Sequence, residues 1–222
     1  ASPVSFIDTS AWGVVEPGAK VLEVTSELNG KVSTLAVRLE KLLAETSSTF
    51  ADLMKNDSVV SIKYSDRYLK SPWSLMILGG FVSIFKNEQL KKLEIQTLEP
   101  FETRQAYSLK HDWRDRSDIE RIAKRWLKTL TDVTPDVVVV KNSHDMQHGR
   151  VMTIQWASGK TTRLLLDQGM GYWSPNSAQR HQLEFDFRQS VDGQYNDMVI
   201  KHQLASMVNG AVWPTYITVI TN

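Results

Sequence analysis

The sequence predicts an α/β domain built on a mixed, mostly parallel β-sheet flanked by helices, and three observations carry that expectation. Short apolar runs at 58–64 (SVVSIKY), 93–97 (LEIQT) and 137–140 (VVVV) have the length and composition of buried strands. Each run is separated from the next by a segment with helical apolar spacing, the pattern of parallel β-α-β units. The second half adds a strand pair turning at Ser158-Gly159 and a β-rich tail at 216–220, which call for hairpin pairing on the same sheet.

Taken in order, residues 4–28 alternate weakly around Pro17-Gly18 and read as one or two short strands with a turn. From 31 to 54 the positions Val32, Leu35, Leu39, Leu42, Leu43, Phe50 and Leu53 recur every three or four residues, predicting one continuous amphipathic helix. Its other face carries Arg38, Lys41, Glu45 and Asp52, mixed in sign, which fits a packing helix better than a membrane-bound one. The strand at 58–64 empties into Ser65-Asp66-Arg67-Tyr68. Ser71 then caps a helix with Pro72 at its first position. Trp73, Leu75, Met76, Leu78, Phe81, Val82 and Phe85 make that helix apolar almost all round and hence buried. Gly79-Gly80 would weaken it, so the pair implies a close contact with another element. After the strand at 93–97, residues 100–116 are polar and aromatic and read as a long loop. Ser117 and Glu120 have capping-box spacing ahead of a helix whose apolar face is Ile119, Ile122, Ala123, Trp126, Leu127 and Leu130. Its basic side, Arg121, Lys124, Arg125 and Lys128, reads as a solvated face first and a polyanion contact second. Residues 182–187 alternate like a strand, and 198–200 read as another. The expected organisation is an N-terminal part, 1–57, packed on a core at 58–222.

Composition narrows the function classes. A chain of 222 residues, 41% hydrophobic and 23% charged, supports one substantial core and is short for two full domains. Without cysteine it has no disulfides and no thiolate metal site, and a cytoplasmic setting is the simpler expectation. No apolar run is long enough to cross a bilayer, and the first residues lack the basic-then-apolar layout of a signal peptide. The missing initiator methionine points to a piece of a longer protein. At a net charge of +1, any preference for anions must come from local clustering.

That clustering is sought in 141–173 (KNSHDMQHGRVMTIQWASGKTTRLLLDQGMGYW). The valine run empties into a polar loop with His144 and His148, and His148-Gly149-Arg150 leads into the hairpin. A histidine and an arginine two positions apart on extended chain point to the same side, so both can meet one phosphate. The hairpin ends in Leu166-Asp167-Gln168-Gly169, where glycine lets backbone approach a ligand. Nucleotide hydrolysis and serine-esterase chemistry find no support, because the phosphate-binding glycine loop, the dinucleotide fingerprint and the nucleophile elbow are all missing. His144 and His148 lack the glutamate and the helix of a zinc motif, so no metal and no cofactor are expected. The His111-Asp112 and His144-Asp145 pairs read as local hydrogen-bonded turns.

The serial order of Tyr64-Ser65-Asp66-Arg67-Tyr68-Leu69, the buried helix, the LEIQT strand, His148-Gly149-Arg150 and Leu166-Asp167-Gln168-Gly169-Met170-Gly171-Tyr172-Trp173 resembles the phospholipase D-like C-terminal domain of MIT-domain proteins, over about 58–200. It also resembles modules of bacterial DNA-processing or phage-defence proteins. Active phospholipase D enzymes use His-x-Lys with a downstream aspartate, a nucleophilic histidine and a second histidine as acid. Here Arg150 stands in the lysine position, Gln155 in the aspartate position, and one copy of the motif is visible. Arginine still holds phosphate through two hydrogen bonds, so binding survives the change better than chemistry does.

The resemblance therefore implies a non-hydrolytic module binding phosphodiester groups, most plausibly of nucleic acid, through His148, Arg150, Arg67, Asp66, Asp167 and Gly169, within a larger protein or complex. A second reading is a homodimeric phosphodiesterase or nuclease with a catalytic His148 from each chain. A third is a module for phosphoinositide-bearing, anionic membrane surfaces or for other proteins.

Overall fold

The computed structural model describes residues 18–99, 113 and 116–222. In chain order the elements are β1 (Lys20–Val24), β2 (Gly30–Lys31), α1 (Leu35–Thr46), α2 (Ser48–Asn56), β3 (Val59–Ser65), α3 (Pro72–Ser83), β4 (Lys92–Leu98), α4 (Arg116–Thr131), β5 (Asp136–Val140), β6 (Arg150–Trp156), β7 (Thr161–Leu166), β8 (Trp173–Pro175), α5 (Val191–Leu204), β9 (Ser206–Asn209) and β10 (Thr215–Thr221). Seven strands form the main sheet in the order β1-β10-β7-β6-β3-β4-β5, and β2-β9-β8 form a small second one. The α/β class with a mixed sheet flanked by helices is what the sequence pattern demands, but the parallel part is limited to β3, β4 and β5; the other four pairings of the main sheet are antiparallel, because the β6–β7 hairpin, β10 and the edge strand β1 complete it.

Pairing follows connection length. The three strands separated by helices, β3, β4 and β5, are parallel neighbours, with Ile62 beside Leu93 and Ile95 beside Val137. The β6–β7 hairpin turns through Gly159 at φ 89°, and β6, β7, β10 and β1 continue the sheet by antiparallel pairing. Burial alternates along the strands: Ile62, Tyr64, Leu93, Ile95, Met152, Ile154, Leu164 and Ile217 line one face and join a single core that runs from Leu22 to Val219. The opposite face is polar and half exposed, with Lys63 paired to Glu94 at 2.7 Å.

The buried helix α3 is set by local chemistry. Ser71 accepts from Ser74 N, Ser74 returns the bond to Ser71 N, and Pro72 holds the first position. Its glycines explain themselves by distance. A Cβ on Gly79 would sit 2.6 Å from Trp126 Nε1 and from Leu130 Cδ1 on α4, and one on Gly80 would sit 2.6 Å from Leu35 Cδ2 on α1. The pair is the groove through which α3 meets two helices at once.

Several expectations need correction. The helix expected at 31–54 is two helices: Ser47 takes an extended conformation at φ −132°, ψ 110°, and its hydroxyl accepts from Phe50 N to start α2. The strand expected at 198–200 lies inside α5, whose buried side (Gln194, Met198, Lys201, His202) has helical spacing and whose cap is Ser190 accepting from Gly193 N. Residues 182–187 alternate in burial as predicted, yet 3-10 turns fill Ser177–Leu183 and no regular strand forms there; Phe185 and Phe187 stack edge-on at 5.1 Å instead. Ser117 lies within the first turn of α4 rather than ahead of it. On the basic side of α4, Arg121 pairs with Asp118 and Arg125 with Asp192, while Lys124 and Lys128 are solvated. The strand content expected before residue 18 and most of the 100–116 loop, with His111-Asp112, lie outside the described residues. Among the described residues no helix is long and apolar enough to cross a membrane.

Two stability predictions follow from this packing. Gly79→Ala or Gly80→Ala should lower stability by about 1–3 kcal/mol through overpacking, whereas Gly171→Ala, with nothing within 4 Å of its added Cβ, should leave the urea midpoint unchanged. His202, edge-on to Trp126 at 4.8 Å, is held by burial at a pKa of about 4 against an ordinary 6.5. The unfolded chain then takes up this proton first, so stability should fall as pH drops from about 6.5 towards 4, by up to about 3 kcal/mol. His202→Phe should flatten that part of a denaturation-versus-pH curve.

Candidate functional site

The site follows from the route of the chain. β3 is where the strand order reverses: α3 leads from it to β4 on one side, while β6 lies on the other. A crevice outside the carboxyl ends of strands at such a reversal is where open α/β sheets place ligands. Asp66 and Arg67 are the first residues past β3. The connection from β5 at the sheet edge to β6 must pass back over the ends of β4 and β3, and it does so as the loop 141–149.

Arg67 holds that loop. Its Nη2 donates to the carbonyls of Ser143 and Met146, and its Nη1 donates to His148 Nε2 at 3.0 Å. A guanidinium has only donors, so Nε2 is the acceptor and the neutral His148 ring carries its proton on Nδ1. Arg67 is buried to 8%, and its Nε has no hydrogen-bond partner among the described residues. His144 sits in the 3-10 turn Ser143–Asp145, closed by Asp145 N donating to Asn142 O, which matches the expected local turn.

Asp66 is the centre of the second half of the cluster. It is fully buried. One oxygen accepts from Tyr64 Oη at 2.8 Å, the other from Tyr68 N at 2.8 Å, and Arg150 Nε lies 3.6 Å away. Burial raises the Asp66 carboxyl pKa, while the Tyr68 amide, the Tyr64 hydroxyl and Arg150 pull it back; burial and the nearby Asp66 push the Tyr64 hydroxyl well above its ordinary value. Arg150 Nη1 donates to Asp167 O at 2.7 Å, and its guanidinium carbon lies 5.0 Å from the centre of the Tyr68 ring. Asp167 in turn accepts from Thr215 Oγ1 at 2.6 Å and Tyr216 N at 2.8 Å. Gly169 is required by space: an added Cβ would fall 3.0 Å from Asp66 Oδ2 and 3.1 Å from Arg150 Nε.

All six residues singled out from sequence thus stand together, in two connected shares. Arg67 with His148 fixes the loop, and Asp66, Arg150, Asp167 and Gly169 fix the strand ends. Much of the positive charge is committed within the cluster. What reaches solvent is His148, the half-buried Arg150 and Lys70, exposed Lys141 and His144, and Tyr68 at 44% exposure with Lys70 Nζ 5.3 Å from its ring centre. Tyr68 was quoted from sequence only as part of a motif. Its ring stands out once Arg150 is seen beside it. Gln155 lies on the half-exposed sheet face, paired with Ser61 and Thr161, well along β6 from His148. Among the described residues no group of three or more His, Asp or Glu could hold a metal ion.

Fold and cluster together define an α/β domain with a cluster of arginine, histidine and tyrosine side chains at the carboxyl end of its central strand. The chain belongs to the family of the C-terminal domain of the DEAD/DEAH box helicase YjiV, whose model matches residues 18–221. Comparison with the curated proteins gives no match.

The pairing of buried Asp66 with half-buried Arg150 yields a test with a sign. Arg150→Ala leaves the Asp66 carboxylate buried without its cation and should lower stability at neutral pH by about 1–3 kcal/mol. A carboxyl whose folded pKa is raised above 3.8 gains stability as pH falls through the folded value, so this deficit should shrink on mild acidification. Asp66→Asn,Arg150→Met should show no such recovery in urea titrations run across that range.

Proposed function

We propose that this domain is a non-hydrolytic module that binds nucleic-acid phosphates within a larger helicase-type protein. The observation that carries the reading is that the two residues past the end of β3 hold His148, through Arg67, and Arg150, through Asp66, with His148 and Tyr68 open to solvent. In this reading His148 Nδ1–H and the exposed part of Arg150 donate to a phosphate, and Lys70 and Lys141 add positive charge at the rim. Arg67 acts behind them by fixing the loop. The helicase name of the family supports a nucleic-acid ligand. The resemblance of the serial motifs to those of phospholipase D-like domains supports a phosphodiester.

Binding without cleavage is favoured by the histidine itself. A phosphohistidine requires a ring nitrogen with a free lone pair. Nε2 is engaged by Arg67 and Nδ1 is protonated, and the aspartate position of an active phospholipase D holds Gln155.

The test is titration of labelled single- and double-stranded DNA, with phosphoinositide vesicles as a comparison. Arg150→Lys, which keeps a cation beside Asp66, and His148→Ala should each weaken DNA binding by about one decade, the equivalent of one charge-assisted hydrogen bond. The DNA should remain intact. Unchanged affinity in both variants would remove the reading, and cleavage that depends on His148 would replace it with an enzyme.

A further inference from the structure

The same end of the sheet carries a second exposed aromatic that the phosphate reading leaves unused. In the turn between β9 and β10, Val212 is 96% and Trp213 62% exposed, whereas Trp73, Trp113, Trp126, Trp156 and Trp173 are each at most 2% exposed. The turn is nonetheless held firmly. Asn209 N donates to Asn29 Oδ1 at 2.8 Å, Asn209 Nδ2 to Ala211 O at 3.0 Å, and Tyr172 Oη to Trp213 O at 2.7 Å. Gly210 packs so tightly on this frame that an added Cβ would fall 1.9 Å from Tyr172 O. A large apolar ring kept in water on a fixed backbone is ready for a contact from outside.

Its position relates it to the cluster. Asp167 accepts from Thr215, two residues after Trp213, and its carbonyl accepts from Arg150, which lies beside Tyr68. The order β10-β7-β6-β3 puts three strand spacings, about 14 Å, between the strand entered from Trp213 and the one leading to Tyr68. Arg150 opens β6, between them. The sheet end therefore runs from an exposed aromatic, past a cation, to another exposed aromatic.

That is the layout of a single-strand platform, in which bases stack on aromatic rings and cations follow the backbone. We propose that the ligand is single-stranded nucleic acid, laid across the sheet end with one base on Trp213, another on Tyr68 and the intervening backbone on Arg150 and His148. The inference rests on the phosphate reading above. A duplex keeps its bases stacked inside and offers neither ring a partner, so single strands are preferred over duplex.

The experiment titrates the whole 222-residue chain with labelled oligothymidylate and with a mixed-sequence duplex. Trp213→Ala should weaken oligothymidylate binding about tenfold, within the range for one base–aromatic stack, and leave duplex binding little changed. Tyr68→Ala should act in the same direction. Saturating oligothymidylate should quench a tryptophan emission component that is missing from Trp213→Phe. Because Trp213 is exposed, its variants should keep the wild-type urea midpoint, and that measurement accompanies the titration. Oligothymidylate affinity unchanged in Trp213→Ala, with Arg150→Lys and His148→Ala still weakened, would overturn the single-strand platform, leave the phosphate reading standing and turn Trp213 towards a protein partner. If all of these variants bind like wild type, or the wild type binds no DNA, both readings fall.

Discussion

The arrangement at the sheet end depends on one buried carboxylate. Asp66 has no exposed surface, and a charge in that position is tolerated only with hydrogen bonds and a cation around it. The tyrosine hydroxyl below it on β3, the amide of Tyr68 above it and Arg150 from the neighbouring strand supply them. Meeting that need fixes Arg150, brings Tyr68 beside it, excludes a side chain at position 169 and ties β6 to the end of β7 through Asp167. Arg67, next in the chain, performs the same service for the loop that crosses the strand ends. Two adjacent residues of opposite charge thus organise both halves of the cluster.

The parts of the fold that were legible from sequence are those where one physical signal acts locally. Strands interleaved with helices can pair in parallel, Ser71-Pro72 can only start a helix cleanly, and Gly79-Gly80 in an apolar helix has little use except close packing. The misreadings share a different cause. Ser47 sits within an unbroken apolar rhythm, and its cap becomes visible only through its bond to Phe50. In α5 the buried side includes Gln194, Lys201 and His202, so polarity conceals the helical face and the triplet Met198-Val199-Ile200 suggests a strand. The alternation at 182–187 is real in burial, but a strand also needs a partner.

At the site, residue types were legible and roles were less so. His148, Arg150 and Gly169 could be placed near Asp66 and Arg67 from the order of short motifs. That Arg67 would be spent on the carbonyls of Ser143 and Met146 depends on the path of the loop over two strand ends, which no local pattern records. Trp213 was missed because an exposed tryptophan in a turn has no periodicity to announce it.

The central claim is that the Arg67-held His148 presents Nδ1–H to a bound phosphate, and nitrogen-15 spectra of the histidine side chains test it most directly. The account predicts that His148, assigned by its loss in His148→Ala, shows the Nδ1–H tautomer at neutral pH in the free protein. Adding oligothymidylate should shift the His148 signals while those of buried His202 stay in place. A proton on Nε2 in the free protein, or His148 signals unmoved at saturating oligonucleotide, would contradict it.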